Sequence, residues 1–580
     1  MRTDSKILIM KKTNSETKLP VWTIVLWIGA ALANIKSIFA DYDVDLSYAV
    51  VTSYRHLSGE KMFMEMREPH QTSAYILDGL MWLFHKVTGS YEGVVIFVNI
   101  FGVLLFALLS CFLVKTLKRH TDHKTAHLIG IAIFAFRARQ IVMPEFTNML
   151  FGFSVLLVIL LINHFEKEND RKYLILSAIT LCLMVLSYPS AVVAYLIVCF
   201  LIFKYSSSKK RDICLLTAVC AAAGICYVIL FSVRAGGLGA FLHNLLTIVS
   251  GDSAHTTRYN TGLLFYLKEM IAGCVWIASS AAIAFAASSV YRILTKKNNK
   301  NIFWIVFGSM LIVIDLTFCV FYDDVVRTAS MRYVYGNISI LLIVMGFCGF
   351  RYCSDTEKKI WIISLLISLS NILSVVLLTN MELITAVQYI FPAGAISIIP
   401  ANRLLGKNDA EDKASSGYSY VFSFIAVLLV ILHRGIVIRD YSGACSSILG
   451  IEGMVKNGPA KGVVCSYMSA YMTKCNEEDW MQFISPGENV LVVGTDLYDP
   501  IVYCFNSSSV SHYSTIDTPT YDETLLGYWD TYPDKYPDVI AVECWYGDMH
   551  VEEDSWIMQW VYSNSDCAGD GRYFRFYRVR

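Results

Sequence analysis

Long apolar runs follow one another along most of the chain, and each is close to the length that crosses a lipid bilayer as a helix. Such a helix needs about 20 residues, and thirteen runs approach that length. They are residues 20–40, 92–114, 125–143, 146–164, 173–187, 189–204, 212–233, 264–291, 302–321, 333–350, 359–380, 383–402 and 418–438. The pattern predicts a mainly α-helical protein, a polytopic bundle of about thirteen transmembrane helices.

The pattern changes near residue 440. Beyond it the apolar runs shrink to strand length, as in Asn489–Val493 and Val539–Glu543, and alternate with polar stretches and Pro or Gly turns. Runs of this kind are typical of a small α/β domain. We therefore divide the chain into a polar N-terminal segment (1–19), a membrane domain (20–439) and a C-terminal α/β domain (440–580).

Composition agrees with a membrane protein. Only 17% of the residues are charged and 55% are hydrophobic, whereas a soluble protein carries about 25% charged residues. The formal net charge is +0, which gives no reason to expect a nucleic-acid partner. Membrane lipids are expected partners.

The distribution of Lys and Arg predicts the topology. Basic residues cluster in alternate loops, such as Lys115–Lys124 and Lys204–Arg211, while the short loops Ser187–Ser190 and Thr379–Glu382 contain none. Because cytoplasmic loops carry the excess of Lys and Arg, we expect a multi-pass protein of the plasma membrane. Its N-terminus is predicted to be cytoplasmic and its C-terminal domain extracytoplasmic. The first apolar run lacks a small-residue cleavage site before Asp41, so it is interpreted as a retained anchor.

The C-terminal domain contains an even number of cysteines on the side where disulfides persist. They are Cys445, Cys465, Cys475, Cys504, Cys544 and Cys567. The sequence does not choose among the possible pairings.

A polar segment, residues 41–91, interrupts the apolar pattern after the first span and is called the first outer loop here. Two amphipathic stretches in it, Asp45–Ser58 and Gln71–Val87, predict helices that lie along the membrane surface. Gly59 and Gly89 follow them, and glycine is the usual residue at a helix end.

Three acids, Asp41, Asp43 and Asp45, stand at the start of this loop. A carboxylate at the edge of the hydrocarbon is costly unless it is paired, hydrated or used. One of them can cap a helix, which leaves the others as candidates for catalysis.

A second candidate element is the predicted outer turn at residues 136–148. Glu145 follows Pro144 there, and Arg137 and Arg139 precede it by eight and six residues. The two arginines either reach lipid headgroups and nearby acids, or grip a lipid-linked phosphate, which suits the forked guanidinium. Elsewhere, Asp315 lies inside a span, where it either makes a buried polar contact or couples a proton or ion.

These features resemble the GT-C glycosyltransferases, which include protein mannosyltransferases, lipid A aminoarabinose transferases and oligosaccharyltransferases. The resemblance covers roughly residues 20–440, and its motifs are short. The matching positions are Asp45, Tyr48, Ala49, Gly59 and Pro69 in the first outer loop, Arg139, Glu145 and Phe151 at the next outer turn, and Arg332 with Tyr333. Two positions depart from the family pattern. Its Asp-Glu pair falls on Val44-Asp45, and the Lys that precedes the proline in aminoarabinose transferases is replaced by Glu68, with Arg67 before it.

The resemblance implies an enzyme that moves a sugar from a polyprenyl-phosphate-linked donor to a glycan, lipid or protein acceptor on the outer face. It implies inverting transfer with Asp45 or Asp43 as the base and Glu145 as a second acid. The donor phosphate would be bound by Arg137, Arg139, Arg332 and Arg67. Asp45 and Glu145 could share a divalent metal, Mg or Mn, and a metal-free enzyme is equally compatible.

Two other functions stay open from the residues alone. One is a transporter or flippase of polyprenyl-linked glycans, although no internal repeat is visible in the spans. The other is a non-catalytic GT-C-like scaffold that binds glycans through Trp480, Trp529 and Trp545 of the C-terminal domain.

Overall fold

The computed structural model describes most of the chain. The described residues are 19–42, 44–67, 70–137, 140–167, 170–250, 263–297, 300–321, 323–378, 386, 388–406, 418–442, 445, 447–494, 501, 507–509, 511 and 524–580.

The described part of the membrane domain consists of helices. Their bounds are α1 Val21–Phe39, α2 Val44–Leu57, α3 Ala74–Thr88, α4 Val94–Leu117, α5 His123–Ala135, α6 Phe146–Glu166, α7 Arg171–Ser187, α8 Val193–Tyr205, α9 Lys209–Arg234, α10 Leu238–Ser250, α11 Leu263–Thr295, α12 Lys300–Phe321, α13 Asp323–Gly349, α14 Asp355–Leu378, α15 Phe391–Ile396, α16 Ile398–Gly406 and α17 Val421–Ile436. Helices therefore occur along all the apolar runs seen in the sequence.

Seven segments among the described residues are long and apolar enough to cross a membrane. They are 21–39, 94–117, 146–166, 209–234, 274–295, 334–352 and 355–375, and shorter apolar helices occur at 189–205, 302–317 and 421–436. The chain is thus a polytopic helical membrane protein, while the count of thirteen crossings stays a prediction. The region near Tyr188 forms two helices, α7 and α8, joined by a 3₁₀ turn that starts at Pro189.

The buried fraction of each helix distinguishes central helices of the bundle from peripheral ones. In the apolar window of α6, 89% of the residues are buried inside the protein, whereas in α9 the share is 6%. Helix α6 is therefore a central helix, and Glu145 stands at its N-terminus. Helix α9 is peripheral and presents most of its surface outward.

The first outer loop has the two helices that the sequence predicted, α2 and α3. Gly89 ends α3 in the left-handed conformation, with φ of 76°, and Gly59 follows α2 with φ of 104°. These backbone angles favour glycine because it has no Cβ.

The C-terminal domain is built on a mixed sheet flanked by helices. Its strands are β1 Gly453–Met454, β2 Val464–Cys465, β3 Asn489–Val493, β4 Ser508–Ser509, β5 Val539–Trp545, β6 Asp548–Met549, β7 Ser565–Asp570 and β8 Phe574–Val579, and its helices are α18 Tyr467–Phe483, α19 Thr524–Thr531 and α20 Trp556–Asn564. The main sheet has the order β4-β3-β5-β8-β7, and β6 pairs with β5. Strand β3 is parallel to β4 and β5, whereas β8 is antiparallel to its neighbours.

Alternation along β3 explains why helices cover both faces of the sheet. Val490 and Val492 pack in one apolar cluster with α18, while Leu491 and Val493 pack in another with α19 and α20. Successive residues of a strand point to opposite faces, so an apolar run such as this one needs cover on both sides. The predicted α/β domain is present.

Among the cysteines of this domain, Cys465, Cys475, Cys544 and Cys567 are free thiols. Cys504 lies outside the described residues. Burial raises the pKa of the Cys465 thiol to about 12, and the nearby charge of Asp440 adds to the rise.

Candidate functional site

Asp45 lies in the first turn of α2, at the start of the first outer loop. Its Oδ2 is 3.6 Å from Nη1 of Arg439, and the side chain is 25% exposed. A partly exposed carboxylate is accessible from solvent, which a base requires. The other candidate base, Asp43, lies outside the described residues.

Asp41 is held in a buried ionic contact. Its carboxylate is 2.9 Å from Nζ of Lys36 and 3.9 Å from Nη1 of Arg434, and it accepts a hydrogen bond from the backbone N–H of Arg439 at 2.8 Å. The residue is 2% exposed and has φ of 70°. These contacts join the end of α1 to the chain that follows α17, so Asp41 has a structural role.

Glu145 caps helix α6. Its side chain accepts hydrogen bonds from the backbone N–H groups of Thr147 and Asn148 at 2.6 and 2.7 Å, and from the Thr147 hydroxyl. The residue is 2% exposed. A carboxylate in this place accepts hydrogen bonds from backbone N–H groups that have no partner within the helix. Its negative charge also interacts favourably with the positive end of the helix dipole.

The helix that carries Asp45 and the turn that carries Glu145 meet. One helical turn after Asp45, the ring of Tyr48 packs edge-on against Phe146, with 6.2 Å between ring centroids. Val50 of α2 and Met143 of the turn share one buried apolar cluster. The first outer loop therefore lies on the N-terminus of the central helix α6.

His70 extends the same aromatic group. Its ring stacks on Phe146 with 4.4 Å between centroids and an angle of 4°, and it lies 4.6 Å from the ring of Tyr188. The chain beyond Pro69 thus folds back toward Asp45. The sequence analysis did not single out His70.

Arg137 is fully buried behind this turn. Its guanidinium lies 3.8 Å from the ring centroid of Phe106, and Nη1 donates to the carbonyls of Phe134 and Phe136 at 3.1 and 2.5 Å. Within the described part of the chain, its Nε and Nη2 have no hydrogen-bond partner, and the same holds for Nε and Nη2 of Arg434. The guanidiniums of Arg137 and Arg434 lie close enough in this buried region to repel each other.

Of the other predicted phosphate ligands, the structure describes the side chain of Arg67 but not those of Arg139 and Arg332. Arg139 lies outside the described residues, and Arg332 belongs to α13 with a side chain that is also outside them. Arg67 is half-buried and lies beside the C-terminal domain. Burial raises the pKa of Tyr532 in that domain, and the positive charge of Arg67 opposes part of the rise.

The metal prediction stays open. Among the described residues, no group of three or more His, Cys, Asp or Glu side chains is arranged to hold a metal ion. The carboxylate of Glu145 already accepts three hydrogen bonds at the helix cap.

A buried ionic triad locks the first outer loop to the C-terminal domain. Arg55 donates to Glu60 at 2.7 Å from Nε, and Lys535 of the C-terminal domain lies 3.2 Å from the other carboxylate oxygen of Glu60. Arg55 also donates to the carbonyl of Ser511 at 2.7 Å, and Tyr528 donates to that of Glu65 at 3.0 Å.

A second polar cluster joins α2 to α3. Asp78 accepts a hydrogen bond from the Ser53 hydroxyl at 2.5 Å, and its other carboxylate oxygen is 2.7 Å from Nδ1 of His56. The His56 ring packs edge-on against Tyr75, with 5.4 Å between centroids. Sequence reasoning missed this cluster, although the stretch Ser53 to His56 carries polar groups on one helical face.

Two roles are predicted for Asp315, a buried polar contact or the coupling of a proton or ion, and the structure shows the buried polar contact. It lies 3.1 Å from Nδ1 of His433 in α17, and the two side chains are 1% and 0% exposed. The pair joins two helices inside the bundle.

An apolar cavity of about 870 Å³ opens among α7, α8, α9 and the first outer loop. Thr72 and Tyr75 of the loop line it together with Leu186, Tyr227 and Phe231. Burial raises the pKa of Tyr75, and the positive charge of Arg234 at the end of α9 opposes part of that rise. The apolar cavity therefore has a polar edge on the side of the loop.

No protein-family model matches the sequence, and no curated protein matches it. Several solved structures align with most of the chain at low TM-scores. The oligosaccharyltransferase of Archaeoglobus fulgidus, tethered with an acceptor peptide, aligns with a TM-score of 0.43 and 11% identity over 90% of this chain and 69% of that one. The same enzyme in complex with Zn and sulfate gives a TM-score of 0.44 and 11% identity, over 90% of this chain and 68% of that one.

ArnT from Cupriavidus metallidurans, bound to undecaprenyl phosphate, aligns with a TM-score of 0.42 and 10% identity over 96% of this chain and 97% of that one. At these TM-scores and identities the likeness places the chain in no family.

Proposed function

We propose that the chain is a GT-C-type membrane glycosyltransferase that transfers a sugar from a polyprenyl-phosphate-linked donor to an acceptor on the outer face of the membrane. One observation supports this most directly. Asp45, partly exposed beside Arg439, stands one helical turn before the Tyr48–Phe146 contact, next to the turn that contains Glu145. This contact between α2 and the start of α6 supports the proposal that Asp45 and Glu145 belong to one site.

The chemistry assigned to this site is a single displacement. Asp45 accepts the proton of the acceptor hydroxyl, whose oxygen forms a bond to C1 of the sugar. The bond between C1 and the phosphate oxygen breaks, and its electron pair leaves with the polyprenyl phosphate. A positioned base and fixed positive charge near the leaving phosphate lower the barrier to such a transfer. Arg137, Arg139, Arg332 and Arg67 are the proposed sources of that charge.

Glu145 enters this proposal in a supporting role. Its carboxylate caps α6, and the proposed role of this acid is to orient the acceptor or to share a metal with Asp45. A divalent metal shared with Asp45 stays part of the proposal, and metal addition after chelation of the purified protein tests it.

The experiment uses washed membranes or purified protein with labelled polyprenyl-phosphate sugars and membrane extract. We expect the double variant Asp43→Asn and Asp45→Asn to lose transfer while it inserts and unfolds like the wild type. Glu92→Gln is the control, because Glu92 is an exposed acid of the same region. Transfer that persists in the double variant would show that neither acid is the base.

We further propose that the C-terminal domain is extracytoplasmic and the N-terminus cytoplasmic. Cys567 is an exposed thiol of that domain and serves as a reporter. A membrane-impermeant maleimide should label it in intact cells. Labelling that requires permeabilisation would place the domain in the cytoplasm.

The two rival functions give different results in the same preparation. Lipid flux without covalent transfer would identify a flippase, and glycan binding without transfer a scaffold. The scaffold would need exposed aromatic rings; Trp480 and Trp529 are 1% and 3% exposed, whereas Trp545 is 37% exposed.

A further inference from the structure

Two buried arginines, Arg137 after α5 and Arg434 in α17, present the same donor atoms without a partner. Both residues are 0% exposed, and in both the Nε and Nη2 atoms have no hydrogen-bond partner in the described part of the chain. Nε–H and one N–H of Nη2 point in the same direction and form the fork with which a guanidinium binds an anion. Two such forks therefore lie inside the membrane domain.

The third nitrogen of each guanidinium is already engaged, which holds the forks in place. Nη1 of Arg137 donates to two backbone carbonyls at the end of α5, and the guanidinium lies over the ring of Phe106. Nη1 of Arg434 donates to the side-chain oxygen of Gln140. Neither side chain can turn its fork toward another group without breaking these contacts.

Shared neighbours bring the two arginines together. Gln140, which accepts from Arg434, donates to the hydroxyl of Tyr335 in α13 at 3.2 Å. The ring of Tyr335 packs edge-on against that of Phe136, with 4.9 Å between centroids, and Phe136 directly precedes Arg137. The two guanidiniums are close enough to repel each other. One buried positive region therefore lies where the turn after α5 meets α13 and α17.

The acid beside this region does not balance its charge. Asp41 lies 3.9 Å from Nη1 of Arg434, but it is also paired with Lys36 at 2.9 Å. Three cations, including Arg137, are thus set against one carboxylate. An uncompensated buried charge is strongly destabilising. A water molecule accepts hydrogen bonds but carries no charge, so it would not offset the repulsion.

Two other buried acids of the bundle are engaged elsewhere. Asp315 lies 3.1 Å from Nδ1 of His433, and the carboxylate of Glu145 accepts the hydrogen bonds of the α6 cap. Negative charge for the two forks therefore has to come from outside the described side chains.

We propose that the forks of Arg137 and Arg434 together bind one small inorganic anion, such as chloride, inside the membrane domain. Its charge offsets the repulsion between the guanidiniums, and its hydrogen bonds connect α17 to the turn after α5. Because both side chains are fully buried, the ligand has to be small enough for the protein to enclose it. The site does not depend on the proposed transfer reaction and differs from the role of Arg137 toward the donor phosphate.

Thermal unfolding of the full-length purified protein tests this proposal, with bromide as the probe. Sodium bromide replaces sodium gluconate at constant ionic strength, and gluconate is the organic anion that is too large to be enclosed. Sulfate is avoided because it stabilises folded proteins in general. We expect a saturable rise in Tm of roughly 5 °C at about a hundred times the dissociation constant, because a ligand that binds only the folded state stabilises it by mass action.

Variants of the two arginines connect the rise in Tm to the forks. In gluconate, Arg137→Met should unfold at the wild-type temperature or above it, because a buried uncompensated charge is gone, and bromide should then add nothing. Arg137→Lys retains the charge without the fork and should need about tenfold more bromide, the usual effect of losing one charge-assisted hydrogen bond. Arg434→Met repeats the test from the other side of the site, should Arg137→Met fail to fold.

Arg403→Met is the matched control. Nε and Nη2 of Arg403 already donate to Glu357 at 3.0 and 2.7 Å, so this variant removes an arginine whose fork has a partner. Its Tm in gluconate should fall, while the increment that bromide adds should equal that of the wild type.

Bromide also gives a direct measurement, since its anomalous scattering in crystals grown with sodium bromide should place one ion between the two guanidiniums. Equal Tm values in bromide and gluconate, or an equal bromide increment in Arg137→Met and the wild type, would overturn the proposal. A rise in Tm with polyprenyl phosphate but not with bromide would assign both forks to the donor and also overturn it. Asp45→Asn should keep the full bromide increment, so failure of the proposed transfer reaction is seen separately.

Discussion

Removal of Glu60 should weaken the contact between the C-terminal domain and the first outer loop more than removal of an exposed ion pair would. Glu60 is 7% exposed and has two cationic partners, Arg55 at 2.6 Å and Lys535 at 3.2 Å. Breaking a buried ion pair by removing one partner costs about 3–5 kcal/mol, because the remaining charge is left uncompensated. Glu60→Leu leaves two such charges.

The pair Lys461–Glu92 gives a matched control. It also connects the region of the first outer loop with the C-terminal domain, at a similar distance of 3.0 Å, but its side chains are 52% and 44% exposed. Exposed pairs contribute about 0–1 kcal/mol. Glu92→Gln should therefore change the stability little, although it breaks a contact of similar length to the C-terminal domain.

The assay is thermal unfolding of the detergent-purified protein, followed by limited proteolysis of the C-terminal domain. A loss of 3–5 kcal/mol corresponds to a decrease of roughly 6–20 °C in Tm for a unit of 150–250 residues. Replacing the whole triad, with Arg55→Met and Lys535→Met added to Glu60→Leu, should restore most of the loss. Equal Tm values for Glu60→Leu and Glu92→Gln would refute the reasoning.

Three further predictions concern single positions. Glu145→Ala should lower the free energy of unfolding by about 1–2 kcal/mol, because the helix cap is missing. Glu145→Ser should restore most of this stability in thermal unfolding. Transfer lost in both variants would show that the carboxylate also takes part in the reaction. Gly102→Ala should lower Tm and transfer together, because its Cβ would lie 1.8 Å from the carbonyl oxygen of Val142; a normal Tm would contradict this close packing. Maleimide at neutral pH should modify the exposed Cys567, while the buried Cys465, with its pKa raised to about 12, should react only after unfolding; peptide mass spectrometry distinguishes the two, and early modification of Cys465 would contradict its burial.

Local patterns allowed most helices and strands to be predicted. Apolar runs located the helices of the membrane domain, Gly59 and Gly89 marked the ends of α2 and α3, and Asn489–Val493 is a strand with the bounds that the sequence suggested. These features depend on residues that are close together in the chain. Sequence reasoning works best for interactions of that kind.

The site was harder to predict because its contacts join distant segments. Glu145 is predicted to be a second acid of the site, and the structure adds that its carboxylate accepts the hydrogen bonds of a helix cap from Thr147 and Asn148. Nothing in the sequence pairs Lys535 with Glu60. The contact between Asp78 and His56 likewise depends on how two helices pack, which hydropathy does not specify.

The contact between the first outer loop and the C-terminal domain has a consequence for biosynthesis. Arg55 and Ser511 are 456 residues apart in the chain, so the ribosome completes nearly all the spans before Arg55 gains this partner. Until then the first outer loop, which contains Asp45, lacks its contact with Ser511 of the C-terminal domain. Nascent chains that terminate early would therefore be inserted without this contact, and the proposed transfer activity would arise only as the last segment of the polypeptide folds.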